Sequence, residues 1–260
     1  MNPLRIELRA GAALCLFLFA VSPLAAQATR TWVSGVGDDV NPGSRTAPVK
    51  TFAGAISKTA AGGEINCLDS GGFGAITITK SITIDGAGTH ASILNAQTTG
   101  IIVNGPDIVV TIRNLSIQGA RNGVTGIKFV KGAVLNVEHC VIANQTGSGI
   151  EIVPGSNALV FIKDTIIRGN MKEKEGCGIR IAPDETFRVE AFLDNVRLED
   201  NFSGLMVEDR VSVIRLNNVT VTGNAIGVSA VGRGRIISFG NNRIDGNAMD
   251  GKPTETKPLK

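Results

Sequence analysis

From Lys80 onward the chain repeats a short pattern: two aliphatic residues one position apart, followed closely by Gly, Asp or Asn. Examples are Ile82-Thr-Ile84-Asp-Gly86, Leu115-Ser-Ile117-Gln-Gly119 and Val219-Thr-Val221-Thr-Gly223. A period of two marks strands with one buried face. With the second aliphatic residue as marker, Ile84, Ile117, Ile142, Ile167, Leu198, Val221 and Ile244 recur at intervals of 33, 25, 25, 31, 23 and 23 residues. A second run within the repeat is seen in Gly149-Ile150-Glu-Ile152, Gly178-Ile179-Arg-Ile181 and Gly204-Leu205-Met-Val207. A third is seen in Leu135-Asn-Val137, Val160-Phe-Ile162, Ala191-Phe-Leu193, Ile214-Arg-Leu216 and Ile237-Ser-Phe239. Three short strands per repeat, without the tight turns of hairpins, predict an all-β fold: a single-stranded parallel β-helix of about seven to eight coils, three strands to a coil.

Stacking the repeats turns positions into columns. Two inward columns read Ile112, Val137, Ile162, Leu193, Leu216, Phe239 and Ile117, Ile142, Ile167, Leu198, Val221, Ile244. Burying each such side chain contributes about 1.5–3 kcal/mol, so aliphatic stacks supply the core. A polar column, Ala120, Gln145, Asn170, Asn201, Asn224, Asn247, predicts an asparagine ladder in which side-chain amides bond from rung to rung. Another runs Asn114, His139, Asp164, Asn195, Asn218, Asn241 at the turn between the third and first strands. His139 beside Asp164 has the residues of a catalytic dyad. Asn at the neighbouring rungs favours the plainer reading, a turn ladder.

The ends differ from the middle. Arg5 and Arg9, the apolar run Ala10 to Val21, the Ser22-Pro23 break and Ala26-Gln27-Ala28 predict a signal peptide over 1–28, cleaved after Ala28, and hence an exported protein in the periplasm, outside the cell or on its surface. The run is too short to cross a bilayer, and no membrane span is expected in the mature chain. Residues 29–63 are expected to hold a first strand at Trp32-Val33-Ser34 and a capping helix from Thr51 to Ala60, stopped by Gly62-Gly63. The β-helix should occupy 64–250 and a mobile tail 251–260.

Composition then narrows the chemistry. Of 260 residues 32 are Gly, Trp occurs once and Tyr is absent. Glycine serves the many turns, and the scarcity of aromatics argues against a deep aromatic pocket. A net charge of +3 with both signs dispersed lacks the footprint of nucleic-acid binding. Cys67, Cys140 and Cys177 remain after signal cleavage and show no zinc-like spacing, so they are expected as buried thiols and no metal or cofactor is expected.

The segment Val33-Ser-Gly-Val-Gly37-Asp-Asp39-Val-Asn41-Pro42-Gly43-Ser44, with Pro48, Thr51-Phe52 and Ala55-Ile56, resembles the opening signature of secreted right-handed parallel β-helix proteins with the pectate-lyase-like fold. The coils after Lys80 resemble the same superfamily. The resemblance implies right-handedness and brings in pectate and pectin lyases, polygalacturonases and alginate-modifying enzymes. The paired Asp, Gly-His-Gly and Arg-Ile-Lys motifs of polygalacturonases are not found. Nor is an outward column of three carboxylates that could hold the Ca2+ of a pectate lyase, so Ca2+ enters only under a lyase reading. Asp38-Asp39 reads as turn-forming, and His90 lies outside any recognised motif.

One face still carries candidate chemistry. Outward positions of the first strand gather Arg168, Arg197 and Arg243 with Glu199 and Asp245. Guanidinium groups suit the carboxylates of an acidic polysaccharide. Glu199 and Asp245, two rungs or about 9–10 Å apart, stand near the upper limit for an inverting carboxylate pair, and Arg197 joins them as a catalytic candidate. Phe161 and Phe192, outward on adjacent rungs, are candidate sugar contacts. The plainer readings are a soluble sheet face for the charges and ladder packing for the rings. Arg113, Glu138, Lys163 and Asp194 alternate in sign and read as cross-strand charge pairs. The sequence favours a non-catalytic carbohydrate-binding role, with an acidic polysaccharide or cell-surface component as partner. The alternative is a polysaccharide lyase or glycoside hydrolase acting on a uronan.

Overall fold

The computed structural model describes residues 27–184 and 186–258. Residues 1–26 of the expected signal peptide lie outside them, and the expected cleavage site after Ala28 falls at the start of strand Ala28–Val33. The described chain winds into a right-handed parallel β-solenoid with three sheets. Sheet A has ten strands, sheet B eight and sheet C seven, and successive members of each sheet come from successive coils.

The aliphatic columns form as the pattern dictates. Ile112, Val137, Ile162, Leu193 and Leu216 are in register down sheet A, and Ile117, Ile142, Ile167, Leu198 and Val221 down sheet B. Nearly all are fully buried. Two positions depart from the expected alignment. Ile84 belongs to sheet A, opposite Ile112, and the sheet B neighbour of Ile117 is Ile93. Phe239 is not in the core: Ile236 pairs with Ile214 and Ser238 with Leu216, which turns Phe239 outward. The run Ile236-Ile237-Ser238-Phe239 offers two doublets of identical spacing, and a slip of one residue exchanges the faces.

The N-terminal cap is built as its sequence suggests, with shorter bounds. The helix spans Phe52–Lys58, with the Thr51 side chain accepting from Gly54 N. Strand Thr59–Cys67 follows it directly, replacing the expected helix end. Phe52 packs on Phe73 with ring centroids 5.4 Å apart, closing that end of the core. Asp39 accepts hydrogen bonds from Lys50 N, Thr51 N and Thr51 Oγ1 and so fixes the helix entry. Burial pushes its carboxyl pKa up, but the Thr51 and Lys50 bonds outweigh that and hold it below the usual range.

At the other end, the tail expected to be mobile adds a rung. Glu255–Thr256 pairs in parallel with Ile237 and Ser238, Thr254 Oγ1 accepts from Ile236 N, and Glu255 is ion-paired with Arg235. Pairing covers an edge that would otherwise be open.

Candidate functional site

The polar columns settle the meaning of several candidates. Asn170, Asn201 and Asn224 are fully or almost fully buried. Asn170 Nδ2 donates to Asn201 Oδ1 at 2.8 Å, Asn201 Nδ2 to Asn224 Oδ1 at 3.1 Å and Asn224 Nδ2 to Asn247 Oδ1 at 2.8 Å. Each Oδ1 also accepts the backbone N–H of the preceding ladder residue, as Asn224 does from Asn201 N at 2.9 Å. Asp250 ends the ladder by accepting from Asn247 Nδ2. The left-handed backbone falls on the residue just before each ladder position, at Asn144, Gly169, Asp200, Gly223 and Gly246.

Toward the N-terminus the ladder skips a rung. The residue in register with Gln145 is Gly123, not Ala120. A Cβ at Gly123 would lie 2.6 Å from Gln145 Oε1 and 2.7 Å from Asn95 Nδ2. Those two side chains meet across it: Asn95 Nδ2 donates to Gln145 Oε1 at 2.8 Å and Gln145 Nε2 to Asn95 Oδ1 at 3.2 Å. Glutamine's extra methylene reaches where asparagine would stop short.

The second column lies at exposed turns. Asn114, His139, Asp164, Asn195 and Asn218 all have positive φ, between 48° and 58°. Asn195 Nδ2 donates to Asp164 Oδ1 at 2.6 Å and Asn218 Nδ2 to Asn195 Oδ1 at 3.1 Å. His139 Nε2 stands 3.4 Å from Asp164 Oδ2, with its side chain 59% exposed. The pair is one step of a turn ladder.

On sheet B, Arg197 is ion-paired with Glu199 in its own strand, and Glu199 is only 15% exposed. Glu199 is in register with Arg168 on one side and Thr222 on the other. Arg243 pairs with Thr220 on the last rung, and Asp245 is exposed beyond it. Thr222 separates the two carboxylate rungs.

Arg168 faces a different neighbourhood. A cavity of about 730 Å3 opens at the corner between sheets B and C, lined by Arg121, Arg168 and Lys172 with Asn144, Thr146 and Asp200. Arg121 follows Ala120, and both hold left-handed backbone, with φ of 63° and 50°. Lys172 comes from the segment between strands Ile166–Arg168 and Cys177–Ile181, where it pairs with Glu175 at 2.7 Å. Among the described residues neither Arg121 nor Arg168 has a carboxylate within ion-pair distance.

Phe161 and Phe192 sit on sheet A, apart from this corner. Their rings stack at 5.1 Å with planes 10° apart, and the Arg215 guanidinium lies 4.8 Å from the Phe192 centroid. Phe192 is thus flanked by Phe161 and Arg215 along the column. The ladder reading accounts for most of the ring surface, and Phe161 remains 37% exposed. The expected charge alternation beside it is present in register but makes few contacts: Arg113 turns instead to Asp85 at 2.9 Å and Glu64 at 3.7 Å. Glu138 and Lys163 form no ion pair with one another.

The three thiols are buried and unbridged. Burial pushes each pKa up to about 12, with nearby Asp85 and Asp69 adding to the rise at Cys67. Thiols so protonated are poor nucleophiles. Among the described residues no group of three or more His, Cys, Asp or Glu is placed to hold a metal ion.

A family model described as a right-handed beta helix region matches residues 70–249. The chain belongs to this right-handed β-helix family. A crystal structure of pectate lyase Pel9A resembles this β-helix chain with TM-score 0.57 and 16% identity, over 82% of this chain and 72% of that one. A rhamnogalacturonan lyase aligns with TM-score 0.30 and 12% identity, over 81% and 75%. No curated protein sequence matches significantly. At 16% identity the likeness to the pectate lyase shows the fold alone. No helix among the described residues of this β-helix protein is long and apolar enough to cross a membrane.

Of the three cations at the corner cavity, the outward columns of the sequence include Arg168, whereas Arg121 and Lys172 lie off those columns. The interval of 31 residues between Ile167 and Leu198 was the signal for Lys172, because the excess is the segment that carries it. Arg121 has no such signal: it lies in the bulge between Gln118 and Gly123, inside an interval of 25 residues from Ile117 to Ile142 that is ordinary in length.

Proposed function

We propose that this β-helix protein is exported and binds an acidic polysaccharide without cleaving it, at the corner between sheets B and C. The observation that carries the reading is the convergence of Arg121, Arg168 and Lys172 on one cavity, with two guanidinium groups not neutralised by ion pairing among the described residues. Guanidinium forks match carboxylates in two hydrogen bonds, and the Asn144 and Thr146 side chains beside them suit sugar hydroxyls. Arg197 and Arg243 extend the positive face along sheet B, although Arg197 is engaged by Glu199. Phe161 and Phe192 belong to another face and are left to a secondary contact. The family fold and the signal-like N-terminus agree with a carbohydrate ligand met outside the cytoplasm.

The test is affinity electrophoresis in gels containing polygalacturonate or a neutral polymer. Retardation is expected only with the acidic polymer and should weaken with added salt. Arg121→Ala with Arg168→Ala should lower affinity at least about tenfold. Equal retardation of wild type and double variant would overturn the assignment. Release of unsaturated or reducing sugar from a uronan panel, with and without Ca2+, would replace it with the lyase or hydrolase reading.

A further inference from the structure

A second cavity, of about 400 Å3, lies over sheet C and takes part of its wall from Lys174, Glu175 and Gly176, in the same segment that supplies Lys172 to the first. Its chemistry is different. Lys128 Nζ pairs with Glu151 Oε2 at 2.9 Å, Glu151 Oε1 with Arg180 Nη1 at 2.9 Å, and Arg180 Nε with Glu208 Oε2 at 2.5 Å. Two cations and two anions are thus closed into one chain on adjacent rungs. An incoming charge would have to break it.

Beside that chain, Cys177 and Ser203 stand in register and are almost wholly buried. Ser203 Oγ is the buried side-chain oxygen or nitrogen that has no hydrogen-bond partner among the described residues. A buried hydroxyl without a partner is unfavourable, and a ligand that supplies one removes the penalty. The two carboxylates keep further acceptor lone pairs and Lys128 keeps further donors. Groups that both donate and accept satisfy such a lining without disturbing its charge balance. Hydroxyls do both.

We propose that this cavity binds a neutral, hydroxyl-rich molecule of the size of one uncharged sugar unit, with Ser203 as its buried hydrogen-bonding partner. The site shares no lining residue with the Arg121 and Arg168 cavity, and the Lys172–Glu175 pair is the one ionic link between the two among the described residues.

Saturation-transfer NMR on the full chain, with D-galactose, D-glucose and D-mannose as neutral probes and D-galacturonate as the charged control, tests it. At least one neutral sugar should bind, and more tightly than D-galacturonate. Ser203→Ala should weaken that binding about fivefold or more without lowering the melting temperature, because the hydroxyl has no protein partner to lose. Glu151→Gln, which leaves Lys128 and Arg180 in charge excess, should shift preference toward D-galacturonate. Arg168→Ala should change none of these results. Absence of signal from all three neutral sugars, undiminished binding by Ser203→Ala, or unchanged selectivity in Glu151→Gln would each overturn the proposal. Failure of polygalacturonate binding alone would leave it standing.

Discussion

The two ladders are built from the same kind of residue and do different work. Asn170, Asn201 and Asn224 lie inside the solenoid, where each amide replaces water for its neighbours' polar groups. Asn195 and Asn218 lie at exposed turns, where water competes for the same hydrogen bonds and their main service is tolerance of left-handed backbone. Burial, more than residue identity, decides what an asparagine stack contributes. A lost partner inside leaves groups that nothing else can satisfy, whereas outside solvent fills in.

The sharpest way to break the comparison is at the centre of the buried stack. Asn201→Ala should cost about 3 kcal/mol or more in equilibrium denaturation, since it strands Asn170 Nδ2 and removes bonds to Ile167 O and Asn224 Oδ1. A loss below about 1 kcal/mol would mean the inner ladder is no more important than the outer. Gly123→Ala comes next, at about 2 kcal/mol, because its Cβ would enter the space where Gln145 and Asn95 meet. Asn218→Ala should cost only about 1 kcal/mol, mostly through its φ of 51°, and Asn218→Gly should recover it.

Acid offers a gentler probe of the inner ladder's end. Hydrogen bonds from Asn247 hold the Asp250 carboxyl below its ordinary value. A depressed carboxyl contributes fully above the unfolded-state value near pH 4, and the contribution is lost as pH falls through the folded value. Protection of Asn247 N against hydrogen exchange, taken relative to the intrinsic rate at each pH, should therefore fall in acid before that of Asn201 N. Smallest of all, His139→Asn should change stability by less than about 0.5 kcal/mol, as expected for an exposed turn side chain.

Much of this was legible in the pattern of residues. Period-two doublets recurring at coil length gave the solenoid, and the run of Asn at one position gave the inner ladder. What escaped has a common cause: local spacing does not fix register where the coil is irregular. Spacing alone puts Ile84 with the sheet B markers, Phe239 in the core column and Ala120 in the place of Gly123, and in each case a shift that only pairing with the neighbouring coil decides moves the residue elsewhere. The candidate site suffered most, because Arg121 and Lys172 stand at such irregular points. Arg197, Glu199 and Asp245, chosen from regular columns, share a face on which Arg197 is ion-paired with Glu199.

The contact between Asn95 and Gln145 across Gly123 has a bearing on how the molecule comes apart. A solenoid in which each coil touches only its neighbours frays like a zipper, one rung at a time. A hydrogen-bonded pair 50 residues apart in the chain, with a whole coil between its members, ties three rungs into one cooperative unit. Fraying from either end should stall there, making the coils around Gly123 the last to open and the mechanical keystone of the rod.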